Sequence, residues 1–268
     1  MNLFQIDPHL MVTQKPEQST FAPHTHDFFE IFYFLSGDAV YSVEGTIYPL
    51  LPGDIIIMRN AETHNLILKS NAPYHRISIH FNPSKEMSKD LFETFMYPFV
   101  ERPLGIYNQY TAAQFNNPNW QYYLKNVCET DNTVKRQVYL MTFLQELTDC
   151  FQILKDEPTY VSKNSIVEIT HYIDRHLTDE LNLDIICKRF FLSKSQLTRN
   201  FKKNLGTTVG EYINTKRLLL AHNLINEGQK PTAVYLNCGF HDYSSFFRAY
   251  KKKFGYKPKT TKDNIFLE

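Results

Sequence analysis

His24, His26 and Glu30 put two imidazoles and a carboxylate at alternate positions of a stretch that reads as a strand, with Phe28, Phe32 and Phe34 on the same parity. In an extended chain such side chains point the same way, and two imidazoles with a carboxylate suit Zn, Fe, Mn or Ni. The same groups could instead hydrogen-bond an organic ligand or be structural histidines. Arg76 and His80 also share a strand face, where a surface arginine is the plainer reading. A second chemistry lies in a duplicated segment. Ser195 to Gly206 aligns with Ser244 to Gly255 at an offset of 49, with Ser, Arg, Lys, Lys and Gly in register. Large apolar residues match at Leu197/Phe246, Phe201/Tyr250 and Leu205/Phe254, a four-residue spacing that forms one buried helix stripe. Hydroxyl and cationic side chains then fall on other faces, a chemistry that suits nucleic acid.

The elements that must position these groups differ along the chain. Residues 20–82 read as short strands separated by turns such as Ser36-Gly37-Asp38, Glu44-Gly45-Thr46 and Leu51-Pro52-Gly53-Asp54, which argues a small barrel or sandwich. From Pro83 the period becomes helical. Trp120 to Lys155 lacks Pro and Gly and predicts two amphipathic helices interrupted near Asp131-Asn132. A polar linker is expected over Asp156 to Ser165. The last hundred residues read as helical throughout. Each copy of the repeat follows a shorter helix, Leu183 to Phe190 or Pro231 to Cys238, and a tight turn. That order is the helix-turn-helix plan, with Ser193 and Asp242 as N-cap types and Gly206 and Gly255 as C-caps. The exposed N-termini present N–H groups suited to phosphate.

Composition agrees with this division. Residues 1–165 hold 12 Lys+Arg against 18 Asp+Glu, a net −6, while residues 166–268 hold 17 against 10, a net +7. An acidic part joined to a basic one fits a nucleic-acid-binding module attached to another domain. At 43% apolar residues the chain buries sizeable cores, which excludes a disordered protein. Its longest apolar run, Ile31 to Leu35, falls far short of the ~18 residues of a membrane span, and no leader pattern is expected at its start. Cys128, Cys150, Cys187 and Cys238 show no CxxC spacing, so reduced, buried thiols in a cytoplasmic protein are expected.

The segment Leu192 to Gly206 resembles the first reading motif of AraC-type bacterial transcription regulators. Gly239 to Pro258 resembles that family's signature, a Gly-Phe turn, a Ser-Phe-x-Arg-x-aromatic-Lys helix and a closing Gly-x-x-Pro. Arg217 to Ala221 is similar to the family's long helix that bridges two reading units. The resemblance implies Ser195, Thr198, Arg199, Tyr243, Ser244 and Arg248 as DNA readers. Ser193, Lys194, Gln196, His241, Lys202, Lys203, Lys251 and Lys252 complete the expected DNA-binding set. Two positions depart from the small residue the family carries, Cys187 and Tyr235, and Tyr235 bears on the packing angle of the second unit. His24-Thr25-His26-Asp27-Phe28-Phe29-Glu30, followed after six residues by Gly37, resembles the first metal motif of cupin barrels. His64 falls where their second motif supplies a fourth ligand, although Arg59 to His64 lacks its proline and glycine. AraC-type regulators commonly carry such a cupin-like sensor.

The expected fold is therefore α+β in two domains. Residues 1–83 form an all-β cupin-like barrel that senses an effector, and residues 84–160 a helical dimerisation segment and linker. Residues 161–268 form an all-α AraC-type DNA-binding domain with two helix-turn-helix units. Effector-binding residues are His24, His26, Glu30 and His64, which are also the ligands of a divalent metal if one is held. The resemblance implies a homodimer with double-stranded operator DNA, a small-molecule effector of the carbohydrate class, and RNA polymerase as partners. Two rivals stand beside it: a metal-dependent cupin enzyme fused to a DNA-binding module, and a regulator whose barrel serves only dimerisation. The Val138 to Leu147 stripe is expected to carry the dimer, through Leu140 and Leu144 among others.

Overall fold

The computed structural model describes residues 2–17, 21–156 and 165–259, and the chain divides into two compact units, 1–162 and 163–268. The linker expected over Asp156 to Ser165 falls almost wholly outside the described residues.

Among the described residues of the first unit, eight strands assort into two antiparallel sheets. These are β1 (Phe4–Thr13), β2 (Phe29–Ser36), β3 (Ala39–Val43), β4 (Thr46–Pro49), β5 (Ile55–Met58), β6 (His64–Leu68), β7 (Tyr74–Pro83) and β8 (Gln109–Tyr110). One sheet runs β1-β7-β2-β5-β8 and the other β4-β3-β6. Alternation along β2 decides both cores. Phe29, Ile31 and Tyr33 point one way with Ile55, Ile57, Ile77 and Ile79. Phe32 and Phe34 point the other way, with Ile56 and Met58, onto Tyr41, Val43 and Leu66 of the smaller sheet.

Helices α1 (Lys89–Val100), α2 (Trp120–Glu129) and α3 (Thr133–Leu154) close the first of these faces. Leu140, Phe143, Leu144 and Leu147 of α3 are all fully buried there. This corrects the expectation for dimerisation: the stripe through Leu140 and Leu144 is buried in the core that the unit's own sheet shares with α1 and α2. The large apolar residues that α3 leaves outward are Val134, Val138 and Ile153, 66%, 49% and 54% exposed. The reading also passed over β1, β6 and α1. Pro8 lacks an N–H and argues against a central strand, but β1 lies at the edge of its sheet, where proline is tolerated.

The second unit is helical: α4 (Ser165–Arg175), α5 (Leu183–Phe190), α6 (Lys194–Leu205), α7 (Val209–Asn226), α8 (Pro231–Asn237) and α9 (Tyr243–Phe254). It holds two cores. Val209, Tyr212 and Ile213, in the first half of α7, join Ile186, Leu197 and Phe201. Leu218, Ala221 and Ile225, in its second half, join Val234, Phe246 and Tyr250. One helix thus anchors both repeats, as the resemblance of Arg217 to Ala221 implied.

Candidate functional site: duplicated helices and a histidine cluster

Each repeat copy is a helix started and stopped by its own residues. The Ser193 hydroxyl accepts from Gln196 N, and the Gln196 side chain accepts from Ser193 N at 2.9 Å, a reciprocal box that fixes the first turn of α6. Asp242 accepts from Ser245 N at 2.7 Å and starts α9. Gly206 and Gly255 end the two helices at φ 67° and 80°, the left-handed region where a Cβ is costly. The turn before α6 begins at Phe191, also left-handed and 93% exposed. Before α9 it begins at Gly239, where a Cβ would meet the Arg217 guanidinium at 2.8 Å. That arginine donates to the carbonyls of Leu177 and Asp179 at 2.8 Å each. It is therefore a buried strut between α4's end and the second turn.

Burial of Leu197, Phe201 and Leu205 leaves Ser195, Thr198, Arg199, Lys202 and Lys203 exposed on α6. On α9, burial of Phe246 and Tyr250 leaves Ser244, Arg248, Lys251 and Lys252 exposed, with Tyr243 half-buried. His241 is exposed in the turn. Two expected DNA contacts have structural work already. Gln196 gives its carbonyl oxygen to the helix cap, and Lys194 Nζ pairs with Asp184 Oδ1 at 2.8 Å. Arg248 donates to Ser245 Oγ at 3.2 Å, which steadies it on the outer face. Tyr235 fits by standing edge-on to Tyr243 at 5.5 Å and against Phe246, so the second unit admits a large residue there through aromatic packing.

In the β-unit, the parity argument for His24, His26 and Glu30 needs correction. Strand β2 begins at Phe29, and His24 stands instead in an isolated bridge with His64. Exchange of backbone hydrogen bonds between His24 and His64, at 3.1 and 3.0 Å, folds the loop back over the smaller sheet. The side chains converge all the same. Donor atoms of His24, His26 and His64 lie within 4.8 Å of one another. His26 Nε2 is 3.0 Å from Glu30 Oε2, and His64 Nε2 is 3.5 Å from the same oxygen. Ser78 Oγ donates to the other Glu30 oxygen, and His80 Nε2 lies 3.6 Å from it. Burial pushes the Glu30 carboxyl up, but its contacts with His26, His64 and His80 outweigh this and hold it well below its usual value. Burial pushes His26 down. His64 Nε2 is buried and faces Glu30 Oε2 at ion-pair distance without making a hydrogen bond.

Three imidazoles with a carboxylate fit a divalent metal by donor chemistry and equally fit a polyhydroxylated or anionic ligand. Arg76 is not the surface residue expected. Its guanidinium lies 5.7 Å from the Phe32 ring centre, and its Nε is buried without a partner. The reading also missed a buried ion pair under the cluster: Arg102 pairs with Glu62 through both nitrogens, and Glu62 further accepts from Arg59 N and Gly105 N. Burial raises the Glu62 carboxyl, and the Arg102 charge and hydrogen bonds bring it down to about 2. Forty residues separate the partners, so no local pattern could announce them.

Two family profiles match the chain: an AraC-like ligand binding domain over residues 10–88 and a helix-turn-helix domain over residues 186–264. The chain is similar to the HTH-type transcriptional activator RhaS of Escherichia coli O139:H28, 24% identical over 259 residues, covering 90% of this chain and 87% of that one. It is similar to the probable transcriptional regulator LumQ of Photobacterium leiognathi, 37% identical over 99 residues, 37% of this chain and 40% of that one. Among solved structures, wild-type ToxT from Vibrio cholerae strain SCE256 aligns at a TM-score of 0.39 and 14% identity, covering 95% of this chain and 93% of that chain.

Proposed function

We propose that the chain is a transcription regulator of the AraC type, as its matches to an AraC-like ligand binding domain and a helix-turn-helix domain support, and that α6 and α9 enter successive major-groove segments of operator DNA. The observation that carries this is the duplication itself: two N-capped helices, each with a buried stripe and an outward hydroxyl, arginine and lysine face. Ser195, Thr198 and Arg199 on α6, and Tyr243, Ser244 and Arg248 on α9, supply base contacts. Ser193, Lys194, Gln196, Lys202, Lys203, His241, Lys251 and Lys252 supply backbone contacts, with Gln196 acting mainly by fixing the helix start. A gel-shift titration with the DNA upstream of the protein's own gene tests it; loss of the shift on replacing both Arg199 and Arg248 is the expected result.

The β-unit takes the small-molecule effector, contacted by His24, His26, Glu30 and His64, with a carbohydrate-class ligand as the working case. Imidazole nitrogens would donate to or accept from its hydroxyl groups, and the Glu30 carboxylate would accept from them. A divalent metal held by the same four side chains is the second reading, favoured by the convergence of the His24, His26 and His64 donor atoms within 4.8 Å of one another. Metal analysis of protein purified without chelator or nickel resin separates the two. Bound metal with substrate turnover would favour the enzyme rival. Homodimerisation is assigned to the outward side of α2 and α3, where Val134, Val138 and Tyr122 are exposed, instead of to Leu140 and Leu144. RNA polymerase remains the expected partner at the promoter. Among the described residues no helix is long and apolar enough to cross a membrane.

A further inference from the structure

We propose that Asp7, His9 and His80 form a separate binding site for a divalent transition metal, at the β1 edge of the five-stranded sheet. β1 pairs antiparallel with β7, with Asp7 opposite His80 and His9 opposite Ser78. Side chains alternate along a strand, so Asp7, His9 and His80 stand on one face of this pair. Their donor atoms lie within 4.8 Å of one another. His9 Nε2 is 3.1 Å from Asp7 Oδ2, close to the ~3.4 Å between two ligands of a tetrahedral ion with bonds of about 2.1 Å. The His9 and His80 rings are 5.0 Å apart.

Two further features distinguish this group from a chance surface cluster. His80 is held from behind, its Nε2 lying 3.6 Å from Glu30 Oε1 and 3.5 Å from Ser78 Oγ. A carboxylate behind a histidine is the outer-shell arrangement that orients imidazoles for metals. In front lies a cleft of about 230 Å³ whose walls include Gln5, Asp7, Phe28, His80 and Asn82. Two of the three ligands, Asp7 and His80, line this cleft, so an ion held with His9 beside it keeps coordination positions for water or for an exogenous ligand, as open metal sites do. The ion would also tie the edge strand β1 to β7 through side chains of both. Because Glu30 touches His26, His64 and His80, the two clusters meet at one carboxylate while keeping separate ligand sets.

The test is a Co²⁺ titration of the full-length, tag-free protein after chelator treatment, read by equilibrium dialysis and by the visible d–d absorption of the bound ion. His9→Ala and Asp7→Asn should each remove one equivalent of tightly bound Co²⁺ and its band, whereas His26→Ala should leave that equivalent in place. Both residues of the first pair are at the surface, so circular dichroism spectra matching wild type are expected, and His9→Gln serves if His9→Ala misfolds. An equivalent lost only with His26→Ala would sustain the inner cluster as a metal site and overturn this one. Wild-type protein that binds no Co²⁺ sensitive to His9 or Asp7 overturns it as well. A single equivalent that disappears with His9→Ala and survives His26→Ala sustains it with the inner cluster metal-free.

Discussion

The helical unit and the β-unit build their polar surfaces in opposite ways. On α6, the groups that face outward, Ser195, Thr198, Arg199 and Lys202, lie within one short helix and are aimed by the burial of Leu197 and Phe201 on its other side. In the β-unit, Asp7, His9, His24, His26, Glu30, His64 and His80 come from four strands and a loop, and meet through the register of β1 with β7 and of β2 with β7 and through the His24–His64 bridge. A helix surface follows from local spacing. A cross-strand cluster depends on every pairing beneath it. The expectation is therefore that core damage in the β-unit disperses its site, while the DNA-facing surface answers mainly to changes in the groups themselves.

The largest effect is expected at the ion pair under the histidine cluster. Arg102→Ala leaves Glu62 charged and fully buried, and losing one partner of such a pair costs about 3–5 kcal/mol. Trp120, the chain's single tryptophan, is buried in this unit against Phe115, so its fluorescence follows β-unit unfolding alone. Denaturant midpoints by that signal should fall sharply, while a paired Glu62→Gln, Arg102→Met variant should recover much of the loss. Glu62 titrates at about 2 when folded, below its ordinary 4.5, so its contribution is complete above pH 4.5 and disappears as pH falls toward 2. Glu62→Gln should flatten acid unfolding in that window; an unchanged acid slope would show that other carboxylates govern it.

Next is the α3 stripe. Leu144→Ala should cost about 2–5 kcal/mol in the same fluorescence assay, because the side chain is fully buried in the core between sheet and helices. Val138→Asp should leave stability nearly unchanged and shift the sedimentation coefficient toward monomer. A folded Leu144→Asp monomer by ultracentrifugation would contradict the burial and restore the original stripe.

These contrasts explain what was legible in the sequence. Within each copy of the repeat, the cap at Ser193 or Asp242 and the glycine stop are relations over three to thirteen residues, and each local preference agrees with the fold. The two-helix reading of Trp120 to Lys155 rests on periodicity in the same way. His24, His26 and Glu30 rest on a strand parity that does not exist at His24, and His64 on its resemblance to the second cupin motif, yet the four meet because the loop closes through the His24–His64 bridge. His80, Asp7 and His9 stayed invisible as a group because cross-strand register over some seventy residues leaves no local trace. Arg102 with Glu62 is the same case, and there burial of both charges is what a sequence reading has least reason to expect.

Within the helical unit, the outward groups should separate by chemistry. Arg199→Ala is expected to cost about 1–3 kcal/mol against one base pair of the operator, since a guanidinium can pair bidentately with guanine O6 and N7. Arg248→Ala should act about one helical turn away. Lys202→Ala should instead weaken all sequences alike and reduce the slope of log K against log[salt] by about 0.9. Titrations against singly altered operators at two salt concentrations distinguish them; a uniform loss from Arg199→Ala equal to that from Lys202→Ala would remove its base-reading role.

The smallest effect contrasts the two repeats themselves. Both reading helices begin with an oxygen accepting from the residue three positions on, but one oxygen is a hydroxyl and the other a carboxylate. Ser193→Ala should cost about 1 kcal/mol of helical-unit stability, with no dependence on pH, because a hydroxyl cap does not titrate. Asp242 is held below its ordinary value first by the backbone and side-chain hydrogen bonds of Ser245, and only slightly by Arg248. A carboxyl depressed in the folded state stabilises fully above its unfolded pKa and loses that contribution as pH falls through the folded one. The difference in thermal midpoint between wild type and Asp242→Ala should therefore shrink from pH 7 to pH 3, while that between wild type and Ser193→Ala stays constant. Equal behaviour of the two variants across that range would mean that the second cap contributes through its geometry alone and not through its charge at the helix N-terminus.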